Sequence, residues 1–418
     1  MEIRKERIRK RLLEQMDLTR EYEDEEIRSL ISDLAAEDLK CEPEFLSVKS
    51  RIRMEEDIFN SLRKLDVLQN LLDDPQVTEI MVNGYQHIFY EKEGRIYPFD
   101  GSFSSEDKLL DIIQTIVGRH NRMVNQSSPI VDTRLADGSR VNIVLSPIAI
   151  DGSAVSIRKF PEHPMNMQQL IGIGSISQEA ASLLEILVKA RYSIFISGGT
   201  GSGKTTFLNA LSSYIPSEER IITIEDSAEL QLLGAQNLVR LETRNANLEG
   251  VMPITIRDLI RSALRMRPDR IIVGECRGEE ALDMLTAMNT GHDGSLSTGH
   301  ANSCRDILLR LETMVIMGKD LPLAAIRSQI ASGIDIIIQL GRLRDRSRRV
   351  LEIAEVDGVE NGEIRLNTLY RFEEEPSKEE STLLNEGRVI GSLKRQGHLI
   401  HREKLLSAGL EVQMPDGL

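Results

Sequence analysis

Nowhere in the 418 residues is there an apolar run approaching the length of about 18 residues that reads as a membrane-crossing helix. The N-terminal stretch MEIRKERIRKRLLEQM breaks each short apolar patch with Arg, Lys or Glu, so no secretory signal is expected there either. Cysteine is scarce: Cys41, Cys276 and Cys304 are scattered and odd in number, which excludes a disulfide framework and suits a reducing compartment. The expected location is therefore the cytoplasm, with any membrane contact made through a partner. A positive charge excess is also missing. With 52 Lys and Arg against 66 Asp and Glu, the formal net charge is −14, which argues against general nucleic-acid binding because such binding rests on cations that neutralise phosphates. The two densest basic stretches, Arg4 to Arg11 and Arg342 to Arg349, read as solvated surface rather than phosphate-binding faces. No internal repeat is visible.

What remains is ordinary soluble composition, 40% hydrophobic and 28% charged, long enough for two or three domains. Residues 1–45 read as a charged helical extension with sparse apolar positions (Ile3, Ile8, Leu12, Ile27, Leu30, Leu34). Ile58, Leu62, Leu65, Leu68 and Leu72 then recur at helical spacing until Asp73-Asp74-Pro75 stops them. From Val77 the period changes toward two in VTEIMVNG, HIFYE and RIYPF. A helix carrying Leu109, Ile113 and Val117 follows, and then the strands SRVNIVL and AVSIRKF, so residues 50–160 are expected to form an α+β domain. Pro161, Pro164, Gly172 and Gly174 mark a linker over 161–176. Over 177–371 helices alternate with the buried strands YSIFISG, RIITIE and RIIVGE, which argues for a parallel sheet flanked by helices. The stretch 372–418, polar and acidic at EEEPSKEE, reads as a tail of low order.

Gly198-Gly199-Thr200-Gly201-Ser202-Gly203-Lys204-Thr205 fits the phosphate-binding loop pattern, and it stands between a strand and the start of a helix, where its mechanism requires it. Glycines let the backbone N–H groups curl toward phosphates and the helix N-terminus adds positive potential. Lys204 would reach the β and γ phosphates and Thr205 would offer its hydroxyl to Mg²⁺, with Thr206 beside it. ATP with Mg²⁺ is the ligand this implies. Hydrolysis also needs carboxylates at the phosphates. Glu225 and Asp226 end one buried strand and Glu275 ends another, and ligands of open parallel sheets lie beyond the carboxyl ends of strands. Glu275 would hold Mg²⁺ through water; which of Glu225 and Glu275 is the base stays open.

His292 and His300 fall together in GHDGSLSTGHANS. Three readings apply: a metal site with Cys304 or Cys276, a sensor of the γ-phosphate, or packing. Arg140 and Arg158 sit on strands of the first domain, as surface arginines or, if that domain closes over nucleotide, as arginine fingers.

Taken in order, the phosphate loop, TIEDSAEL, RDLIRSALRMRPDRIIVGECRG and NTGHDGSLSTGHANS resemble the type II and type IV secretion ATPases, most nearly the CpaF-like branch of tight-adherence pilus assembly. The likeness runs over roughly 50–355 and includes RLADGSRVNIVLSPIAIDGSAVSIRKF. It implies an α/β protein with a RecA-like ATPase domain, a smaller α+β N-terminal domain, and a ring, usually a homohexamer, that clamps ATP between domains. On this resemblance Glu225 and Asp226 match the aspartate box, Glu275 an atypical Walker B acid, and His300, with His292 nearby, the histidine box. Arg140 and Arg158 match arginines that approach the γ-phosphate. The function implied is a pilus-assembly or secretion motor acting on an inner-membrane platform protein and peripheral to the membrane through it. A DNA-transfer motor and a non-motor nucleotide switch are the alternatives.

Overall fold

A computed structural model describes residues 2–17, 19–41, 47–118, 123–160, 164–244, 252–375 and 389–410. The chain divides into two compact units, Met1–Glu162 and His163–Leu418.

The first unit begins with α1 (Glu2–Gln15), α2 (Asp24–Cys41) and α3 (Val48–Arg63). Their apolar positions are few but aligned: Ile8, Leu12, Ile27, Ile31, Leu34, Met54, Ile58 and Phe59 form one buried cluster. The segment expected to be an appended charged extension is thus two helices of a three-helix bundle. Its basic run is not all solvated surface. Arg4 is only 6% exposed, and Arg4 and Arg7 lie 2.9 and 2.7 Å from the carboxylate of Asp38, itself 3% exposed. A buried carboxylate needs such partners, so part of the run serves the bundle interior. Ser47 caps α3, its Oγ accepting from Ser50 N–H at 3.1 Å.

After a single turn (Asp66–Leu68), α4 (Gln69–Asp73) leads into β1 (Val77–Asn83), β2 (His87–Lys92) and β3 (Arg95–Pro98), then α5 (Glu106–Gly118) and β4 (Ile130–Arg134), β5 (Arg140–Val144) and β6 (Ala154–Arg158). These strands form an antiparallel sheet in the order β3-β2-β1-β6-β5-β4. One face packs Ile80, Val82, Val141, Ile143, Val155 and Ile157 against Leu109, Ile113 and Ile116 of α5.

In the second unit α6 (Met167–Gly172) and α7 (Gln178–Lys189) precede β7 (Ile194–Gly198), α8 (Lys204–Ser212), β8 (Arg220–Glu225) and β9 (Asn237–Glu242). Then come α9 (Ile256–Ala263), β10 (Arg270–Val273), α10 (Glu280–Asn289), β11 (Leu296–Gly299), α11 (Cys304–Gly318), α12 (Leu323–Gly333) and β12 (Ile336–Arg342). The chain continues through β13 (Arg348–Glu360), β14 (Glu363–Glu374), β15 (Gly391–Arg395) and α13 (Glu403–Ala408). The nine-stranded sheet runs β15-β14-β13-β12-β7-β11-β10-β8-β9, parallel from β12 to β9 and antiparallel from β12 to β15. Cores lie on both faces, so every residue of β7 and β10 is buried. That is why these strands read as continuous apolar runs rather than as alternation.

Two expectations of disorder or linkage are corrected. Of the supposed linker, residues 164–176 belong to the second unit: α6 opens on a capping box between Asn166 and Gln169, and Met167, Leu170 and Ile176 enter the core. The supposed tail also folds back. β15 pairs with β14, Leu399 and Leu405 are buried, and the Tyr192 hydroxyl donates to the His401 carbonyl at 2.6 Å. The Glu355 carboxylate accepts the N–H groups of Ile400 and His401. Residues 376–388, which include most of EEEPSKEE, lie outside the described residues. Among the described residues no helix is long and apolar enough to cross a membrane.

Candidate phosphate-binding site

β7 brings the chain to the C-terminal edge of the parallel sheet and α8 carries it away. The loop between them turns on Gly201 (φ +70°) and Gly203 (φ +92°), values that a Cβ would make costly. At Gly198 a Cβ would lie 2.5 Å from Ser202 Oγ and 2.7 Å from the Leu340 carbonyl, so glycine is required there by space. Ser202 braces the loop by donating from Oγ to the Gly199 carbonyl at 2.8 Å. Gly203 caps α8 without a side chain, which leaves the first N–H groups of the helix facing the loop's concavity. A Cβ at Gly199 or Gly201 would meet nothing within 4 Å, so the rim is open. Thr205 and Thr206 follow in the first turn of α8.

Lys204 is folded back: its Nζ donates to the carbonyls of Gly198 and Gly199, each at 3.1 Å, and stands 3.3 Å from His300 Nδ1. An ammonium only donates, so Nδ1 accepts and the proton of the neutral ring sits on Nε2, which lies 2.6 Å from Glu275 Oε1. Burial holds the His300 pKa below its ordinary value; Glu275 opposes this, and Lys204, Arg277 and Arg310 reinforce it. On the other oxygen, Glu275 Oε2 accepts from Arg277 Nε at 2.7 Å, and Arg277 Nη1 is 3.8 Å from Asp226 Oδ2. Lys204, His300, Glu275, Arg277 and Asp226 therefore form one run of polar contacts across the ends of β7, β11, β10 and β8, in which Glu275 Oε1 meets His300 at close range without hydrogen-bond geometry and Arg277 meets Asp226 as an ion pair.

Glu225 lies apart from this chain and is only 3% exposed. Its Oε1 accepts the N–H groups of Glu229 and Leu230 at 2.9 Å each, while Oε2 is buried with no partner. Burial pushes its pKa up to about 7, against the pull of those two N–H groups. A Cβ at Gly274 would come within 2.8 Å of Glu225 Cγ, so glycine on the neighbouring chain makes room for the carboxylate.

His292 does not share the site. β11 runs parallel to β7 with Leu296 beside Ile194, and His292 precedes it, at the edge where strands start; the phosphate loop is at the edge where they end. Its Nδ1 lies 3.3 Å from the Ala287 carbonyl, and its own carbonyl accepts from Ser295 Oγ at 2.7 Å. The expectation that His292 contacts nucleotide is corrected on this geometry. Cys276 and Cys304 are buried, with Sγ 3.9 Å from Met314 Sδ and 4.0 Å from the Ile337 carbonyl, so neither turns toward the histidines. In the first unit Arg140 and Arg158 stand directly opposite each other across β5 and β6, with Arg134 opposite Arg140 and Glu79 opposite Arg158.

Two residues at the phosphate site escape sequence reading. Arg277 follows Glu275 closely, and its role shows only in the geometry. Arg348, inside the stretch expected to be solvated surface, donates from Nε to the Gly201 carbonyl at 3.0 Å. That stretch is a hairpin joining β12 to β13, and Arg349 within it donates to the carbonyls of Val389 and Gly391.

A glycine cradle at a helix start, its lysine, and carboxylates at the ends of neighbouring parallel strands define a P-loop nucleoside triphosphatase. The family model "Type II/IV secretion system protein" matches residues 61–388. The chain belongs to that family and is one of its P-loop ATPases. It is 33% identical over 323 residues to a putative conjugal transfer protein of Mycobacterium tuberculosis, covering 76% of this chain and 91% of that one. To the type IV secretion system protein PtlH of Bordetella pertussis it is 32% identical over 321 residues, covering 71% and 95%. Among solved structures, the Legionella pneumophila ATPase DotB is similar at a TM-score of 0.51 and 23% identity, covering 69% of this chain and 79% of that one. The pilus retraction motor PilT with bound ADP is similar at a TM-score of 0.50 and 19% identity, covering 84% and 87%. These two likenesses bear on the fold, which is RecA-like.

Proposed function

We propose that this chain hydrolyses ATP as a ring motor, a homohexamer of the kind that drives pilus assembly or protein export, and acts on an inner-membrane platform protein from the cytoplasmic side. The observation that carries this reading is the polar chain from Lys204 to Asp226, which links the phosphate loop to the acids of two neighbouring strands. The second unit (with 177–371 as its ATPase portion) binds nucleotide, and the smaller α+β region at 50–160 closes upon it. The loop N–H groups at Gly199, Thr200, Gly201, Ser202 and Gly203 hold the phosphates. Lys204 leaves its two carbonyl partners for the β and γ phosphates, while Thr205, and Glu275 through water, would hold Mg²⁺. The metal ion supplies charge that neutralises the phosphate oxygens. Asp226 orients the surrounding network, and His300, kept neutral, reports on the γ-phosphate through Lys204 and Glu275.

Glu225 is the base we favour. Its free oxygen and its pKa of about 7 suit a carboxylate that takes a proton from the attacking water near neutral pH. Arg140 and Arg158 neutralise the charge that develops on the γ-phosphate as the first unit closes. The pilus reading within this family is the tight-adherence type.

The test is steady-state phosphate release with Mg²⁺-ATP over a range of protein concentrations. Specific activity should rise with concentration and be lost in Lys204→Ala and Arg158→Ala; activity unaffected by either substitution rejects the reading. In the native host, unchanged pili and secretion in Lys204→Ala would reject the assembly role. Relatives named as conjugal transfer proteins favour a second reading, a DNA-transfer motor. Salt-sensitive stimulation by single-stranded DNA would select it, and the net charge of −14 weighs against it.

A further inference from the structure

A groove of about 410 Å³ lies directly beside Arg277, lined by Leu309, Arg310, Thr313, Met314 and Met317 of α11. The inner face of α11 is core, with Ile307, Leu308, Leu311 and Val315 buried. Its outer face exposes Leu309 (49%), Ile316 (51%) and Met317 (71%), an apolar stripe at helical spacing. Two guanidiniums flank the stripe. Arg277 is 57% exposed, and Arg310, also exposed, has no carboxylate partner among the described residues. An apolar stripe between two arginines is complementary to a helix bearing acidic and apolar residues.

We propose that this groove is the docking site for an acidic, amphipathic helix of a partner protein, and that docking regulates hydrolysis through Arg277. The inference rests on the motor reading above and names where its membrane-held partner engages. The link to chemistry is short: the guanidinium that faces the groove also holds Glu275 Oε2 at 2.7 Å and approaches Asp226. A carboxylate arriving in the groove competes for that guanidinium and frees Glu275, a residue that would hold Mg²⁺ through water. Arg277 is in this sense a positioning residue, and Arg310 and Met317 are the anchors that make the groove selective. A lipid surface fits less well, because two arginines do not make the broad basic face that an anionic membrane binds.

The experiment uses the full-length protein and inverted inner-membrane vesicles of the native host, with phosphate release as the readout. Vesicles should accelerate wild-type hydrolysis. Met317→Asp should keep the vesicle-free rate, and both it and Arg310→Glu, each scored against its own vesicle-free rate, should need roughly tenfold more vesicles or show no response, whereas Arg310→Lys should respond. Arg277→Gln should sediment with vesicles as wild type does while its rate no longer changes. Vesicles stripped of protein domains by protease should lose their effect. Equal acceleration of Arg310→Glu and Met317→Asp, no acceleration of the wild type, or full activity of stripped vesicles would each overturn the docking site. A smaller oligomer in Arg310→Glu by sedimentation would assign the groove to a second copy and overturn it as well. The motor reading fails separately: its failure is the absence of Lys204-dependent hydrolysis in any of these mixtures.

Discussion

The two ends of the same parallel sheet are built on opposite electrostatic plans. At the strand-start edge the charges of Arg270 and Lys404 are matched within the fold. Arg270, fully buried, holds Glu219 by two contacts of 2.6 and 3.2 Å and donates to the Gly294 carbonyl. Lys404, brought by α13, lies 2.7 Å from Asp335 and 2.8 Å from Asp293. At the strand-end edge the groups are held by mutual contacts that a ligand can take over: Lys204 rests on loop carbonyls, Glu225 keeps an oxygen unpartnered, and Arg277 shares itself between two acids. A polar group that is closed in stabilises the fold; one that is held provisionally costs stability and is available for chemistry.

Substitutions should split along this line. The largest effect on chemistry is expected for Glu225→Gln, which should lower hydrolysis by about 10³-fold in phosphate-release assays. In the wild type the rate should climb as pH rises through about 7, since the base must be ionised. The same group works against the fold at high pH. Its pKa is about 7 in the folded chain and 4.5 ordinarily, so the stabilisation tied to its proton is complete below 4.5 and is lost as pH rises through 7. Glu225→Gln should therefore be more stable than wild type at pH 8.5, by about 2 kcal/mol in urea titration.

Next in size, Arg270→Ala takes from Glu219 its two closest contacts and leaves it Arg191 at 3.3 Å, and should cost about 3 kcal/mol in the same titration while leaving the nucleotide affinity of the remaining folded protein unchanged. If nucleotide affinity falls instead, the two ends are not independent. Arg348→Ala removes one charged donor from the loop rim and should raise the KM for ATP about fivefold with kcat nearly kept. Smallest of all, His292→Ala should change hydrolysis by less than about twofold, whereas His300→Ala should not be so mild; equal effects would put the two histidines back in one site.

How much of this could be read in advance depended on whether the partners were adjacent in sequence. The loop from Gly198 to Thr205 is contiguous, and Glu225 and Glu275 announce themselves by ending apolar runs. Arg348 meets Gly201 from 147 residues away, because β12 lies beside β7 and the β12–β13 hairpin leads back to the loop. No spacing rule encodes that. His292 and His300 looked like one cluster, but a strand runs between them and carries them to opposite edges. Asp38, from 31 residues on, turns Arg7 from surface charge into bundle charge. The C-terminal elements hid for another reason: Leu393, Leu399 and Leu405 stand six residues apart, each in a different short segment among mostly polar residues, so no one segment carries a run of either period.

The return of residues 389–410 has a consequence for how the protein keeps to itself. β15 covers β14 along Tyr370–Glu374, and without it that part of a strand running from Glu363 to Glu374 would present bare N–H and C=O groups as an open sheet border. Such a border is a template on which another chain can lay a strand. The short closing strand and the helix behind it act as a hem: a version of the chain cut near residue 375 would keep its nucleotide loop but invite its copies to stack edge to edge.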